Sequence, residues 1–112
     1  MNFNNEKAIY LQMADRLCDE IVAGQYHDDE RIPSVREYAV LLQVNTNTAM
    51  KAYDQLARDE IIYNKRGIGY FVSAEARGKI LEAQKAEFLE KEVPAILRKM
   101  ELLGLDGSIF KK

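Results

Sequence analysis

Cysteine is almost missing from this chain of 112 residues. Cys18 stands alone, which excludes an internal disulfide framework and any zinc site built on cysteine. Tryptophan is absent, and histidine occurs once, at His27. With one His, one Cys, no glycine-rich phosphate loop and no carboxylate cluster at metal-ligand spacing, no enzyme, metal or cofactor is expected. No apolar run approaches the ~18 residues that a membrane span requires, and Met1–Asn5 lacks the basic, apolar start of a signal peptide. The expectation is a cytoplasmic protein in a reducing compartment, with no membrane partner. An excess of positive charge is missing too: sixteen Lys and Arg face eighteen Asp and Glu, a net charge of −2. Nine basic and twelve acidic residues fall in 1–77, so non-specific affinity for phosphate should be weak.

Apolar residues make up 47% of the chain, enough for a core. From Lys7 to Gly24, Ile9, Met13, Leu17 and Ile21 recur at helical spacing, with Ala14, Cys18 and Val22 beside them. That spacing predicts an amphipathic helix stopped at Gly24 and places Cys18 on its buried stripe. Residues 32–72 then read as two short helices around a tight turn, followed by a hairpin. Ser34 and Glu37 have the capping-box spacing that opens a helix, and Pro33 fixes its entry. Val35, Tyr38, Ala39 and Leu42 form its inward face. Leu42-Gln43-Val44 makes the turn, Asn45 caps the next helix, and that helix runs from Thr46 to about Arg58. Gln43 stands where a left-handed residue is needed, which implies modest strain or a different turn. Ile61–Tyr63 and Gly69–Val72 are the strands, and Lys65-Arg66-Gly67-Ile68 is the turn between them. This is the pattern of a winged helix-turn-helix: mainly α with a small β-hairpin.

The third helix separates into two faces. Ala49, Ala52, Tyr53 and Leu56 make a core stripe, while Asn47, Met50, Lys51 and Asp54 lie opposite. Short polar residues at its start, Asn45, Thr46, Asn47 and Thr48, let a backbone approach a DNA groove and leave first-turn amides for phosphate. Simple capping is the plainer alternative for them. Arg36 sits in the first turn of its helix, where a cation opposes the helix dipole, so a phosphate or a guanine edge is a reason for it to be there. A solvated surface arginine is the alternative. Lys51 suits a phosphate or guanine. Lys65, Arg66 and Gly67 suit a wing tip against a neighbouring minor groove, or simply a charged strand edge.

Taken together, Ile32-Pro33-Ser34-Val35-Arg36-Glu37, Val44-Asn45-Thr46-Asn47-Thr48, Lys51-Ala52-Tyr53, Leu56 and Tyr63–Val72 resemble the N-terminal domain of the GntR family of bacterial transcription regulators, over about residues 7–73. The resemblance implies DNA contacts from Arg36, from Asn45 to Thr48 and from Arg66-Gly67. The chain departs from the family pattern at Asp29 and Glu60, where the family usually has glycine, at Gln43 in place of a turn glycine, and at Thr46 in place of a frequent proline.

The reading divides the chain into a DNA-binding domain, 1–74, and a helical dimerisation segment, 75–112. From Ala74 to Met100 the sequence is helical in character, with a kink or fresh start expected near Glu92–Val93 because of Pro94. Leu89, Val93, Ile96, Met100 and Leu103 step by 4, 3, 4 and 3, and Leu81 and Phe88 lie seven apart. A heptad seam of this kind calls for a partner, so a homodimer is expected, with docking onto the chain's own first domain as the alternative. A short helical tail resembles the YtrA-type subgroup, which implies a two-fold operator. The leading expectation is a homodimeric repressor on double-stranded DNA. A winged-helix protein adaptor without specific DNA binding is the alternative. A small-molecule effector, lined by Tyr10, Tyr26 or Phe88, rests on aromatic residues alone, for which core packing is the plainer role.

Overall fold

The computed structural model describes residues 6–111, so the signal-peptide reading of Met1–Asn5 lies outside the described residues. Three helices come first: α1 (Ile9–Val22), α2 (Val35–Leu42) and α3 (Thr46–Arg58). Strands β1 (Ile62–Lys65) and β2 (Gly69–Val72) follow, then α4 (Ala76–Glu87) and α5 (Val93–Leu102). Apolar spacing decides what each helix buries. Helix α1 turns Met13, Ala14, Leu17 and Ile21 inward, α2 Val35, Tyr38, Ala39 and Leu42, and α3 Ala49, Ala52, Tyr53 and Leu56. Ile9, expected on the α1 stripe, is exposed at the helix's first residue. Cys18 is partly buried against the core.

The capping box is formed in full. The Ser34 hydroxyl accepts from the Glu37 amide at 3.1 Å, and the Glu37 carboxylate accepts from the Ser34 amide at 2.9 Å. Strands β1 and β2 pair antiparallel in the register Ile62↔Val72, Tyr63↔Phe71, Asn64↔Tyr70 and Lys65↔Gly69. A two-stranded hairpin is marginal alone. Here Glu30–Ile32 runs along the other edge of β2, with the Ile32 amide donating to the Tyr70 carbonyl and the Val72 amide to the Glu30 carbonyl, both at 3.0 Å.

Three departures from the family's glycines keep the glycine conformation. Asp29, Gln43 and Glu60 have φ of 62°, 56° and 60°. The loops therefore hold their geometry and carry the steric cost of a Cβ in left-handed backbone.

The first compact unit runs to Ile80, beyond the boundary drawn at residue 74, because Ala76 and Ile80 are buried in the same core cluster. The start of α4 is fastened there. The Glu75 amide donates to Asp28 Oδ2, the Arg77 Nε–H to the Val22 carbonyl, and the Lys79 ammonium to the Glu60 carbonyl, each at 3.1 Å.

The second unit is residues 81–112. Helical backbone runs from Ala76 to Leu102, with a fresh α-helix starting at Val93 where Pro94 led it to be expected. A π-turn, Phe88–Glu92, lies just before Pro94, which takes a place in the first turn of α5. Proline costs least there, where its missing amide is not needed, and the wider turn relieves its ring. The i→i+5 bond from the Val93 amide to the Phe88 carbonyl sets these two residues one turn apart on the same side of the backbone. Gly104, φ +71°, closes α5 in a Schellman motif: the Leu105 amide donates to the Met100 carbonyl and the Gly104 amide to Glu101. A 3₁₀ turn, Gly107–Phe110, follows.

Two predictions come from this packing. Gln43→Gly and Glu60→Gly should each stabilise the domain by about 0.5–1 kcal/mol, the relief of a left-handed L-residue less the flexibility glycine adds to the unfolded chain. Thermal melts would show this as rises of a few degrees. Burial, then the charges of Asp15, Asp19 and Asp59, push the Cys18 thiol from 9.0 up to about 12. Burial likewise raises the Tyr38 and Tyr53 phenols above 10.0. Groups raised on folding lose their stabilising contribution as pH climbs past their unfolded values. The urea midpoint, followed by circular dichroism, should therefore fall progressively above pH 9.

Candidate nucleic-acid interface

Tyr53 positions the candidate surface. Its hydroxyl donates to the Pro33 carbonyl at 2.5 Å, and its ring lies 6.0 Å from that of Tyr38 and 5.0 Å, edge-on, from that of Tyr70. Helix α3 is thereby tied to the entry of α2 and to β2. With Ala49, Ala52, Tyr53 and Leu56 buried, the opposite face of α3 is left to solvent, and Asn47, Met50, Lys51 and Asp54 are exposed on it.

Asn45 is occupied: its Oδ1 accepts from the Asn47 amide at 2.7 Å, closing the first turn of α3. Thr46 and Asn47 are exposed and Thr48 is half-buried. Lys51 is exposed, with its ammonium 5.2 Å from the centre of the Tyr10 ring on α1. Arg36 is exposed on α2 and, like Arg66, makes no hydrogen bond or ion pair with another described residue. At the wing tip, the Ile68 amide donates to the Lys65 carbonyl and Gly67 has φ +80°, the backbone that glycine adopts most readily in such a turn. The Lys65 ammonium lies 4.6 Å from the centre of the Phe71 ring. Tyr10 and Tyr26, offered as effector-lining residues, pack against the core.

The profile of the gntR family of bacterial regulatory proteins matches residues 9–72. The chain belongs to the GntR family. It is a helix-turn-helix transcription regulator and not an enzyme. Among relatives, it is 32% identical to the HTH-type transcriptional regulator YhcF of Bacillus subtilis, covering 92% of this chain and 84% of that protein. It is 32% identical to the HTH-type transcriptional repressor YtrA of the same organism, across 74% of this chain and 64% of the repressor's length. A crystal structure of a GntR-family regulator from Bacteroides thetaiotaomicron superposes with a TM-score of 0.77 at 50% identity, over 92% of this chain and 89% of that one.

Among the described residues of this GntR chain, no helix is long and apolar enough to cross a membrane, and no group of three or more His, Cys, Asp or Glu could hold a metal ion. One cation escaped the sequence reading. Arg31 lies beside the wing, and the only hint of it in sequence is a basic residue immediately before Ile32-Pro33-Ser34.

Cap and surface roles on α3 are separable by stability. Asn45→Ala should cost about 1 kcal/mol in urea denaturation, the usual price of a lost N-cap. Asn47→Ala, which removes an exposed side chain without a bonding role, should stay within about 0.5 kcal/mol of the parent.

Proposed function

We propose that this regulator is a homodimeric repressor that occupies an inverted-repeat operator, each protomer reading one half-site in double-stranded DNA. One observation carries the reading. The polar face of α3 is uncovered, starts from small side chains, and stands beside a wing whose tip presents unpaired charge. In this arrangement Thr46, Asn47 and Thr48 approach base edges and phosphates, while Asn45 acts by holding the first turn. Arg36 and Lys51 take guanine or phosphate, and Lys65, Arg66 and Gly67 follow the adjacent minor groove. Repression is the action named for the YtrA relative.

The segment from Leu81 onward is the proposed dimerisation element. Phe88, Leu89, Ile96 and Leu103 are exposed, as are Leu97, Leu102, Leu105, Ile109 and Phe110, which the heptad spacing did not single out. Leu81 and Val93 are half-buried, and Met100 is only 8% exposed, so Met100 supports the tail more than it offers a surface. Apolar area of this kind in about thirty residues is the signature of an interface. The two recognition helices of a dimer would then lie one DNA turn apart, roughly 34 Å.

Fluorescence anisotropy on the duplex upstream of the chain's own gene, with random DNA as competitor, tests the reading. The parent should bind selectively at two protomers per duplex, and Arg36→Ala should bind about 10- to 100-fold more weakly, the worth of one good base or phosphate contact. Sequence-indifferent binding that ignores Arg36 would favour the adaptor alternative.

A further inference from the structure

The outer face of the wing carries an arginine that the recognition helix and the wing tip leave unused. Arg31 is bridged to Phe71, and Phe71 pairs with Tyr63. Side chains alternate across a strand. Arg31, Phe71 and Tyr63 therefore form a row on the face away from Tyr70 and Tyr53, and Gly69 and Lys65 form the next row. The rings of Tyr63 and Phe71 stack at 5.7 Å with 20° between their planes, and the Lys65 ammonium caps Phe71. The Arg31 side chain fills the space over Gly69. A Cβ at that glycine would meet Arg31 Nε at 2.9 Å, and its φ of +142° disfavours any other residue.

Charge makes the arrangement informative. Arg31 follows Asp28, Asp29 and Glu30 and forms no ion pair with any of them. Asp28 accepts the Glu75 amide at 3.1 Å, Asp29 the Tyr63 hydroxyl at 2.8 Å, and Glu30 the His27 amide at 3.1 Å. Glu37 is committed to the capping box. Its bonds with Ser34, then the nearby charge of Arg31, hold its carboxyl below the ordinary range. An arginine that makes no ion pair with the three acidic residues before it and settles on a glycine, in the row of a second cation, is placed for an anion from outside.

We propose that Arg31 and Lys65 form a phosphate seat on the outer face of the wing, taking one backbone phosphate of the DNA that the Arg66-Gly67 tip enters. This rests on the DNA-binding reading and adds to it a positioning residue outside the recognition helix and wing tip. The guanidinium fork suits phosphate oxygens, and the glycine platform limits the freedom the side chain must give up on binding.

The test uses a labelled duplex recovered by selection from random DNA with the full parent chain. Affinity is then measured across a salt series for the parent, Arg31→Ala and Arg31→Lys. A phosphate contact predicts that Arg31→Ala lowers the slope of log affinity against log salt by about 0.9 and weakens binding about 5- to 10-fold on every sequence alike. Arg31→Lys should restore the slope, and circular dichroism melts should coincide for all three proteins. A purely structural role would lower the melt and leave the slope unchanged, and that result overturns the proposal. An unchanged slope and affinity in Arg31→Ala, with Arg36→Ala still defective, overturns this proposal alone. Recovery of no duplex overturns the DNA reading and the phosphate seat together.

Discussion

Much of the domain depends on the buried Tyr53. Its ring is inaccessible, and its hydroxyl bonds the carbonyl of Pro33, the residue that introduces α2. Through Tyr70 the same ring bears on the wing, and through Tyr38 it reaches a second buried hydroxyl that donates to Glu20 on α1 at 2.8 Å. Burial raises both phenols above their ordinary range, so both remain donors at neutral pH. One side chain of α3 thus sets the helix against the segment that carries Arg36 and against the hairpin that carries Arg66. The exposed polar face of α3 follows from that orientation.

Periodicity made the helices legible, because three stripes at 3.6-residue spacing each had one burial solution. Caps were legible for the same local reason: Ser34 with Glu37, and Asn45, satisfy amides within three residues of themselves. Of the left-handed positions only Gln43 was expected, from its place in the turn; Asp29 is of a type that tolerates positive φ, and nothing in Glu60 announces it. Arg31 was missed because its setting is tertiary. A single bridge to Phe71 has no alternation to detect, and the space it fills exists only once Gly69 is brought back across the hairpin. The start of the last helix was legible as well: Pro94 marks it and α5 begins at Val93, but the π-turn that leads into it leaves no mark in the spacing. Burial of Met100 was equally invisible to spacing, which placed it on the seam.

The weakly negative charge bears on how such a domain could bind DNA. Asp28, Asp29, Glu30, Glu37 and Glu20 each hold a hydrogen bond that organises a loop, a cap or a tyrosine. Their charge remains, so the long-range field does little to attract a polyanion. At physiological salt that field fades within about 8 Å, and contacts inside that range decide the outcome. On the proposed reading, affinity comes from a few cations set on rigid supports, and from doubling those contacts in a dimer.

The central claim is that the exposed face of α3, Arg36 and the wing form one surface for DNA. The most direct measurement is amide chemical-shift mapping of the ¹⁵N-labelled chain titrated with a selected duplex. The account predicts that the largest shifts fall at Arg36, at 45–51 and at 65–69, with little change along the buried stripe of α1. Shifts centred elsewhere, on the exposed Val40 and Leu41 of α2 for example, with 45–51 unmoved, would contradict it.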